Sequence, residues 1–468
     1  MFDDRVLIEE TVALARAYLG SLAERAVGPQ VDLAALRAAL GGPLAEEGIA
    51  ARQVIAALAR GAEPGIVASA GPRYFGFVTG GSLPAALAAD WLTTAWDQNG
   101  GMFVGSPAAA VVEEVVAGWL LELFGLPAGA SVGFVTGGQM ANFTCLAAAR
   151  HAVLGRAGWD VEQEGLIGAP AVRVLVGEEA HTTIFGALRL LGLGTRRAER
   201  VAADGQGRMR ADALRAALAA GAGPAIVCAQ AGNVNSGAFD PLEEIAALCR
   251  ERGAWLHVDG AFGLWAAASP ALRHLVAGLE RAESWGTDAH KWLNCPYDSG
   301  IAIVADAEAH RTAMTLSASY LMHQGGRARD NHDWVPEASR RARGFAAYAA
   351  LRSLGRRGVA ELVERCCRLA RRMAERLAAT EGIAVLNEVV LNQVLVRFHP
   401  PRGADVDGFT RAVIGRVQRE GTLWAGVTTW HGMAAMRISV SNWSTTEADA
   451  DRSTEAIVGA LRREAAAG

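Results

Sequence analysis

The sequence predicts an α/β protein with a mainly parallel sheet flanked by helices, and three observations lead there. After residue 125, short apolar runs alternate with helix-length segments. Gly133-Phe134-Val135-Thr136 precedes a helix near 139–153, Val172-Arg173-Val174-Leu175-Val176 one near 182–192, and Ala225-Ile226-Val227-Cys228-Ala229 one near 241–251. Two further apolar runs, Trp255-Leu256-His257-Val258-Asp259 and Ile301-Ala302-Ile303-Val304, extend the pattern. Strands that alternate with helices in this way pair in parallel and are covered on both faces. The composition, 51% hydrophobic and 20% charged over 468 residues, supplies a large core.

The remaining segments fall around that centre. Val6, Leu7, Val12, Leu14 and Leu19 lie near helical spacing, so residues 1–60 read as amphipathic helices, interrupted by Pro64 and Gly65. The stretch Gly71-Pro72-Arg73-Tyr74-Phe75-Gly76-Phe77-Val78-Thr79-Gly80-Gly81 is too irregular for a helix; its aromatic residues either pack or line a pocket. Residues 83–125 look helical, broken at Asn99-Gly100-Gly101 and Pro107. Residues 306–345 are poor in regular pattern, and His323–Asp333 reads as a polar loop. A long helix follows from about 344 to 379. Strands are expected at Val389–Phe398 and Met436–Val440, with helices near 405–419 and 446–463. The expected organisation is an N-terminal helical segment (1–85), a large α/β domain (86–345) and a smaller α+β C-terminal domain (346–468).

Composition narrows the function. A net charge of −4 and the absence of aromatics interleaved with basic runs give no case for nucleic acid. The clusters Arg340-Arg341-Ala342-Arg343 and Arg371-Arg372 read as solvated faces. Six cysteines without CxxC spacing are expected as reduced core thiols, and no metal-ligand spacing stands out. No charge-free run of about 20 apolar residues argues for a membrane span, and the acidic Met1-Phe2-Asp3-Asp4 start is unlike a signal peptide. A cytoplasmic location is expected.

The chemistry centres on one residue. Of 45 Lys plus Arg, 44 are arginine, and Lys291 is the one lysine, inside Thr287-Asp288-Ala289-His290-Lys291-Trp292. An arginine-rich composition explains the lack of other lysines but not this survivor. Arginine stays protonated and forms no imine, whereas a lysine amine deprotonates and does. The choice is between a surviving surface lysine and a Schiff-base lysine for pyridoxal phosphate.

Three other features bear on that choice. Thr136-Gly137-Gly138-Gln139 lies between a strand and a helix, where glycines and free amides suit a phosphate. His181 follows a strand and opens a helix, as a cap or as a catalytic residue. Asp259 ends a strand, as a cap or as the partner that keeps a pyridine nitrogen protonated. One helical segment and an apparent strand are expected between Asp259 and Lys291. Parallel sheets carry their sites at such carboxyl ends.

Taken in this order, with His257-Val258-Asp259-Gly260-Ala261 and Asp288-Ala289-His290-Lys291-Trp292 as the most specific segments, the sequence resembles the group II pyridoxal-phosphate-dependent amino-acid decarboxylases. Gly177-Glu178-Glu179-Ala180-His181 and Ala141-Asn142-Phe143 through Arg150 support the likeness, which runs from about Tyr74 to Asp451. The resemblance implies the type I fold of pyridoxal-phosphate-dependent transferases with a seven-stranded, mainly parallel sheet. It implies that Lys291 forms the Schiff base, Asp259 pairs with the pyridine nitrogen, and Ala261 and His181 lie on the two ring faces. It assigns Gly138, Gln139 and His290 to the phosphate, and Arg437 to the substrate carboxylate. It also implies a homodimer with the active site at the interface, clasped by residues 1–85.

The implied reaction is decarboxylation of an L-amino acid through an external aldimine and a carbanion spread into the ring. A loop tyrosine assists the final protonation in aromatic-amino-acid decarboxylases; the matching position here is Asn331, and Tyr320 is the nearest tyrosine. His332 or His323 are the alternative donors. Without a donor, an aldehyde synthase or a C–C lyase becomes the alternative, and an aminotransferase is the weaker one. Phe75, Phe77, Trp91 and Trp96 suit an apolar substrate side chain; Gln98 and Asn99 suit a polar one.

Overall fold

The computed structural model describes residues 4–29, 31–316, 329–402 and 405–467. The chain divides into two compact units. One comprises Gly80–Arg371 and Asn387–Val394; the other comprises Met1–Thr79, Arg372–Leu386 and Leu395–Gly468.

The chain opens with three helices of the second unit: α1 (Asp4–Ser21), α2 (Leu33–Leu40) and α3 (Ala51–Ala62). Asp32 caps α2 by accepting from the Ala35 amide, the arrangement that satisfies an orphan first-turn donor. The larger unit begins with α4 (Pro84–Trp96) and α5 (Pro107–Phe124), each with proline in its first turn. Pro107 starts a helix rather than merely breaking one, because its missing N–H is not needed at that position. Next come β1 (Ser131–Val135), α6 (Gly138–Arg156), α7 (Val161–Glu164), β2 (Arg173–Gly177), α8 (Thr182–Leu190), β3 (Glu199–Val201), α9 (Ala211–Ala219), β4 (Ala225–Gln230), α10 (Leu242–Arg252), β5 (Trp255–Asp259), β6 (Ser284–Asp288), β7 (Gly300–Val304) and α11 (Ala307–Met314).

The seven strands form one sheet in the order β1-β7-β6-β5-β4-β2-β3. β7 runs antiparallel to both neighbours and every other pairing is parallel, which is the mainly parallel sheet expected. β1, β4, β5, β6 and β7 are buried along their whole length, as a sheet covered on both faces requires. α6 lies against the sheet through Ala141, Cys145, Ala148 and Ala149, all fully buried. Their small side chains let the helix approach closely enough for its first turns to reach the ends of β5 and β6.

The chain continues through α12 (Gly344–Ala378), β8 (Ile383–Val385), β9 (Gln393–Phe398), α13 (Val406–Glu420), β10 (Gly426–Trp430), β11 (Met433–Ser439) and α14 (Glu447–Ala467). β8–β11 form a four-stranded sheet in the order β10-β11-β9-β8.

Four expectations need correction. The long helix near 344–379 is two helices, because Gly355 (φ 61°, ψ 177°) breaks it in a conformation glycine tolerates. Apolar spacing continues on both sides of the break and conceals it. Residues 306–345 contain α11, capped by Asp306 through the Ala309 amide. Between Asp259 and Lys291 there is no α-helix, only the 3₁₀ turns Gly263–Ala268, Arg273–Val276 and Leu279–Arg281. Arg340 is not on a solvated face: its side chain is 1% exposed and paired with Glu113, equally buried. The six cysteines are buried and free, as expected.

Candidate active site

The site forms where the parallel strands of the larger unit end. β1 runs into Thr136-Gly137-Gly138, and α6 starts at Gly138. The first-turn amides of a helix have no carbonyl partner inside it and face outward as anion donors. The two glycines stand where a side chain would crowd its neighbours. A Cβ at Gly138 would fall 2.9 Å from Asp288 Oδ2, and one at Gly137 would fall 3.1 Å from His290 Cε1. Gln139 is exposed on the same turn, with Gly186 of α8 beside its amide.

β6 delivers the lysine. The Asp288 amide donates to Ala261 O (3.0 Å), which ties the end of β6 to the turn after β5. Lys291 Nζ lies 2.9 Å from Asp288 Oδ2, and the lysine side chain is only 18% exposed. The Ser299 amide donates to His290 Nδ1 (3.2 Å), so the opposite nitrogen, Nε2, carries the proton, 3.4 Å from Asp288 Oδ1. Burial lowers the His290 pKa, opposed by the charge of Asp288, so the ring is a neutral donor. Its face stacks on Tyr297, centroids 4.3 Å apart.

β5 delivers Asp259. Its carboxylate accepts from the Ala261 amide (3.2 Å) and from Asn142 Nδ2 (3.1 Å), two donors that fix its orientation. His181 is the N-cap of α8 and accepts from the Thr183 amide, so the capping role is real. The ring is also bonded to Thr183 Oγ1 (2.8 Å), which in turn lies 3.2 Å from Asn142 Nδ2. Thus Lys291, His290, Asp259, Ala261, His181, Gly138 and Gln139 all belong to one unit and lie at or just after strand ends.

The residues expected near the substrate are distributed differently. Asn99 Oδ1 accepts from the Gly101 and Arg340 amides (both 3.1 Å). His332 lies against Gly101 O through its own amide (2.9 Å) and its Nδ1 (3.2 Å), and Asn331 donates to Gly100 O (3.2 Å). These side chains therefore join the 99–103 turn to the 329–341 segment. Phe75, Phe77 and Arg437 belong to the smaller unit. There Phe75 is buried between main-chain hydrogen bonds to Trp424 and Ser439, and Phe77 is 63% exposed. Burial lowers the pKa of Arg437, which is half-buried on β11. Tyr320 and His323 lie outside the described residues.

Asn142 and Asp288 were not singled out by sequence reasoning. Spacing carried a usable signal for both: Asn142 lies four residues beyond Gly138 on the same helix face, and Asp288 lies three before Lys291.

A glycine turn, an aspartate and a lysine arrayed along the carboxyl edge of such a sheet define the class of fold type I pyridoxal-phosphate proteins. Residues 40–399 match the family model described as the pyridoxal-dependent decarboxylase conserved domain, and the chain belongs to that family. It is 31% identical over 338 residues to acidic amino acid decarboxylase GADL1 of Bos taurus, covering 70% of this chain and 64% of that protein, so it spans less than two thirds of that relative. It is 30% identical over 400 residues to cysteine sulfinic acid decarboxylase of Homo sapiens, covering 81% and 80%. The crystal structure of Oryza sativa TDC with PLP and tryptamine superposes with a TM-score of 0.92 at 24% identity, over 99% of this chain and 98% of that one, a likeness of fold.

The residues fit the cofactor. The Gly137–Gly138 turn leaves little space for a Cβ, which keeps its amides open to an anion. The site supplies an amine, a carboxylate that accepts two hydrogen bonds, and outward-facing amides. Gly138, Gln139 and His290 would hold the phosphate, Asp259 the ring nitrogen, and Lys291 the aldehyde carbon. Among the described residues no group of His, Cys, Asp or Glu is placed to hold a metal ion, and no helix is long and apolar enough to cross a membrane.

Proposed function

We propose that this chain removes the α-carboxyl group of an L-amino acid as CO2 and releases the amine, using pyridoxal phosphate. The observation that carries the reading is Lys291, the chain's one lysine, held at Asp288 on the sheet edge that also carries Asp259. The bound cofactor supplies an aldehyde for the substrate amine and a pyridine ring that accepts an electron pair. Lys291 offers the exchanging amine. Asp259 keeps the ring nitrogen protonated, and His181 and Ala261 bound the ring faces. The bond from Cα to the carboxylate breaks, CO2 leaves, and one proton is delivered to Cα.

A homodimer completes the proposal. Trp91 (42%), Leu92 (49%) and Trp96 (49%) stand exposed on α4, an apolar face suited to a second copy.

A second reading rests on Asn331. Its amide accepts from Arg329 Nε (3.1 Å) and donates to Gly100 O, so the position expected to hold a tyrosine presents no acidic hydroxyl. In that reading, amino acid, O2 and water give aldehyde, CO2, ammonia and hydrogen peroxide.

One experiment tests both. Purified chain loaded with pyridoxal phosphate is challenged with a panel of amino acids, acidic, sulfinic and aromatic ones included, while CO2, amine, O2 and peroxide are followed. CO2 and amine in equal amounts without O2 uptake is the expected result, whereas stoichiometric peroxide selects the second reading. Borohydride reduction is expected to fix the cofactor on Lys291 and to fail in Lys291→Arg. No CO2 from any substrate overturns both readings.

A further inference from the structure

We propose that Asn142 is a positioning residue that orients the carboxylate of Asp259 and fixes the tautomers of His257 and His181 through one hydrogen-bond relay, an inference that rests on the ring-nitrogen role given to Asp259 above.

The relay can be followed atom by atom within the larger unit. Trp255 Nε1 lies 2.9 Å from Ser284 Oγ. Ser284 Oγ lies 3.0 Å from His257 Nδ1, and His257 Nε2 lies 3.0 Å from Asn142 Oδ1. Asn142 Nδ2 lies 3.1 Å from Asp259 Oδ2 and 3.2 Å from Thr183 Oγ1, and Thr183 Oγ1 lies 2.8 Å from His181 Nδ1. Asn142 is 1% exposed, and His257, Ser284 and Trp255 are fully buried, so water does not compete for the bonds between Trp255 and Asn142, whereas Thr183 and His181 are partly exposed.

Both ends have a fixed sense. An indole N–H only donates, and an ionised carboxylate only accepts. Asp259 therefore holds the NH2 side of Asn142 toward itself, because the reversed amide would set Oδ1 against the carboxylate. Asn142 Oδ1 must then accept from His257 Nε2–H. Burial holds His257 neutral by pushing its pKa down to about 4, against the pull of Asp259. Its Nδ1 is consequently bare and accepts the Ser284 hydroxyl proton, while Ser284 Oγ accepts from Trp255. On the other branch, Thr183 Oγ1 accepts from Asn142 and spends its own proton on His181 Nδ1, which leaves the proton of His181 on Nε2. This arrangement gives each bond of the relay one donor and one acceptor.

The neighbouring backbone is shaped around this amide. A Cβ at Gly286 would fall 2.6 Å from Asn142 Oδ1, so a glycine on β6 makes room for it.

The test uses the full chain with ¹⁵N-labelled histidine and no cofactor, read by long-range ¹H–¹⁵N correlation, with His257→Gln to assign one signal. His257 is expected as a single Nε2–H tautomer, unchanged between pH 6 and 8, and His181 likewise as Nε2–H. Asn142→Ala is expected to give mixed His257 tautomers. Thr183→Val, nearly isosteric, is expected to disturb His181 alone. His257 found as Nδ1–H in the unsubstituted chain, which needs no variant to fold, overturns the relay. So does an unchanged His257 spectrum in a folded Asn142→Ala chain. In cofactor titrations Asn142→Ala is expected to weaken pyridoxal phosphate binding by about tenfold or more, the loss of a hydrogen bond to a charged group. His257→Gln, which keeps a donor toward Asn142, is expected to bind more tightly than His257→Leu. The histidine spectra are recorded without cofactor or substrate, so failure of the relay and failure of the decarboxylase reading are seen separately.

Discussion

Arg340 lies in a run of three arginines within four residues, yet its guanidinium reaches Glu113 at 2.8 Å, with both side chains 1% exposed. It also donates to Gly100 O (3.0 Å) and Phe134 O (3.2 Å), which ties the 99–101 turn to β1. Burial pushes the Glu113 pKa up, and Arg340, Arg329 and Arg343 pull it back down. Removing one partner strands the other charge in the interior, at a cost of about 3–5 kcal/mol. Glu113→Gln is therefore expected to lower the melting temperature by several degrees, and the double variant Glu113→Gln/Arg340→Met to recover part of the loss. A melting temperature unchanged in Glu113→Gln would show that the pair contributes nothing. The pairing was hidden in the sequence because Glu113 lies 227 residues away on α5. Lys291, Asp259 and His181 were legible because each lies at or just after a strand end, where local pattern and chemistry coincide. For Asn142 the spacing from Gly138 was legible but its partners were not, because they depend on β5 and α8 meeting α6.

At the scale of elements, the segment before α4 runs against the backbone that carries the lysine. The Leu83 amide donates to Asn294 O (2.8 Å), and a Cβ on Gly80 would fall 1.8 Å from Lys291 O. No rotamer change relieves a clash with main chain. Gly80→Ala is therefore expected to displace the 290–294 backbone, lowering stability by about 1–3 kcal/mol and slowing borohydride-trappable cofactor uptake at Lys291. Uptake at the unsubstituted rate would show that the two segments move independently. Strands and helices of the large sheet were readable because short apolar runs separated by amphipathic segments admit few other arrangements. The 3₁₀ turns after β5 were not, since their apolar residues carry no helical period. The break at Gly355 was not either, since one glycine in a long apolar-periodic run is compatible with a continuous helix.

For the molecule as a whole, the balance of buried titratable groups governs how folding responds to pH. His310 bonds Ser131 Oγ (2.8 Å) and Trp334 O (3.0 Å), and burial, reinforced by the charge of Arg329, pushes its pKa from 6.5 down to about 3. Unfolding between those values takes up a proton at His310, so its contribution to stability falls as pH drops through that window. Asp240 behaves oppositely. Burial pushes its pKa from 3.8 up to about 7, despite accepting the Met209 (2.7 Å) and Gln230 (2.8 Å) amides and the pull of Arg208, with Asp204 adding to the rise. Unfolding between those values releases a proton from Asp240, so its contribution is lost as pH rises. His257 adds to the His310 side, with uptake between about 4 and 6.5. Near pH 5.5 these three sites together give an uptake of about one proton on unfolding, two histidines against one aspartate. Proton exchange measured by pH-stat during urea unfolding reads the sites individually, because it counts protons whether or not the two units unfold together. His310→Gln is expected to lower the uptake by about one proton, and Asp240→Asn to raise it by about one. Equal uptake in all three proteins would mean that neither group differs in protonation between the folded and unfolded chain.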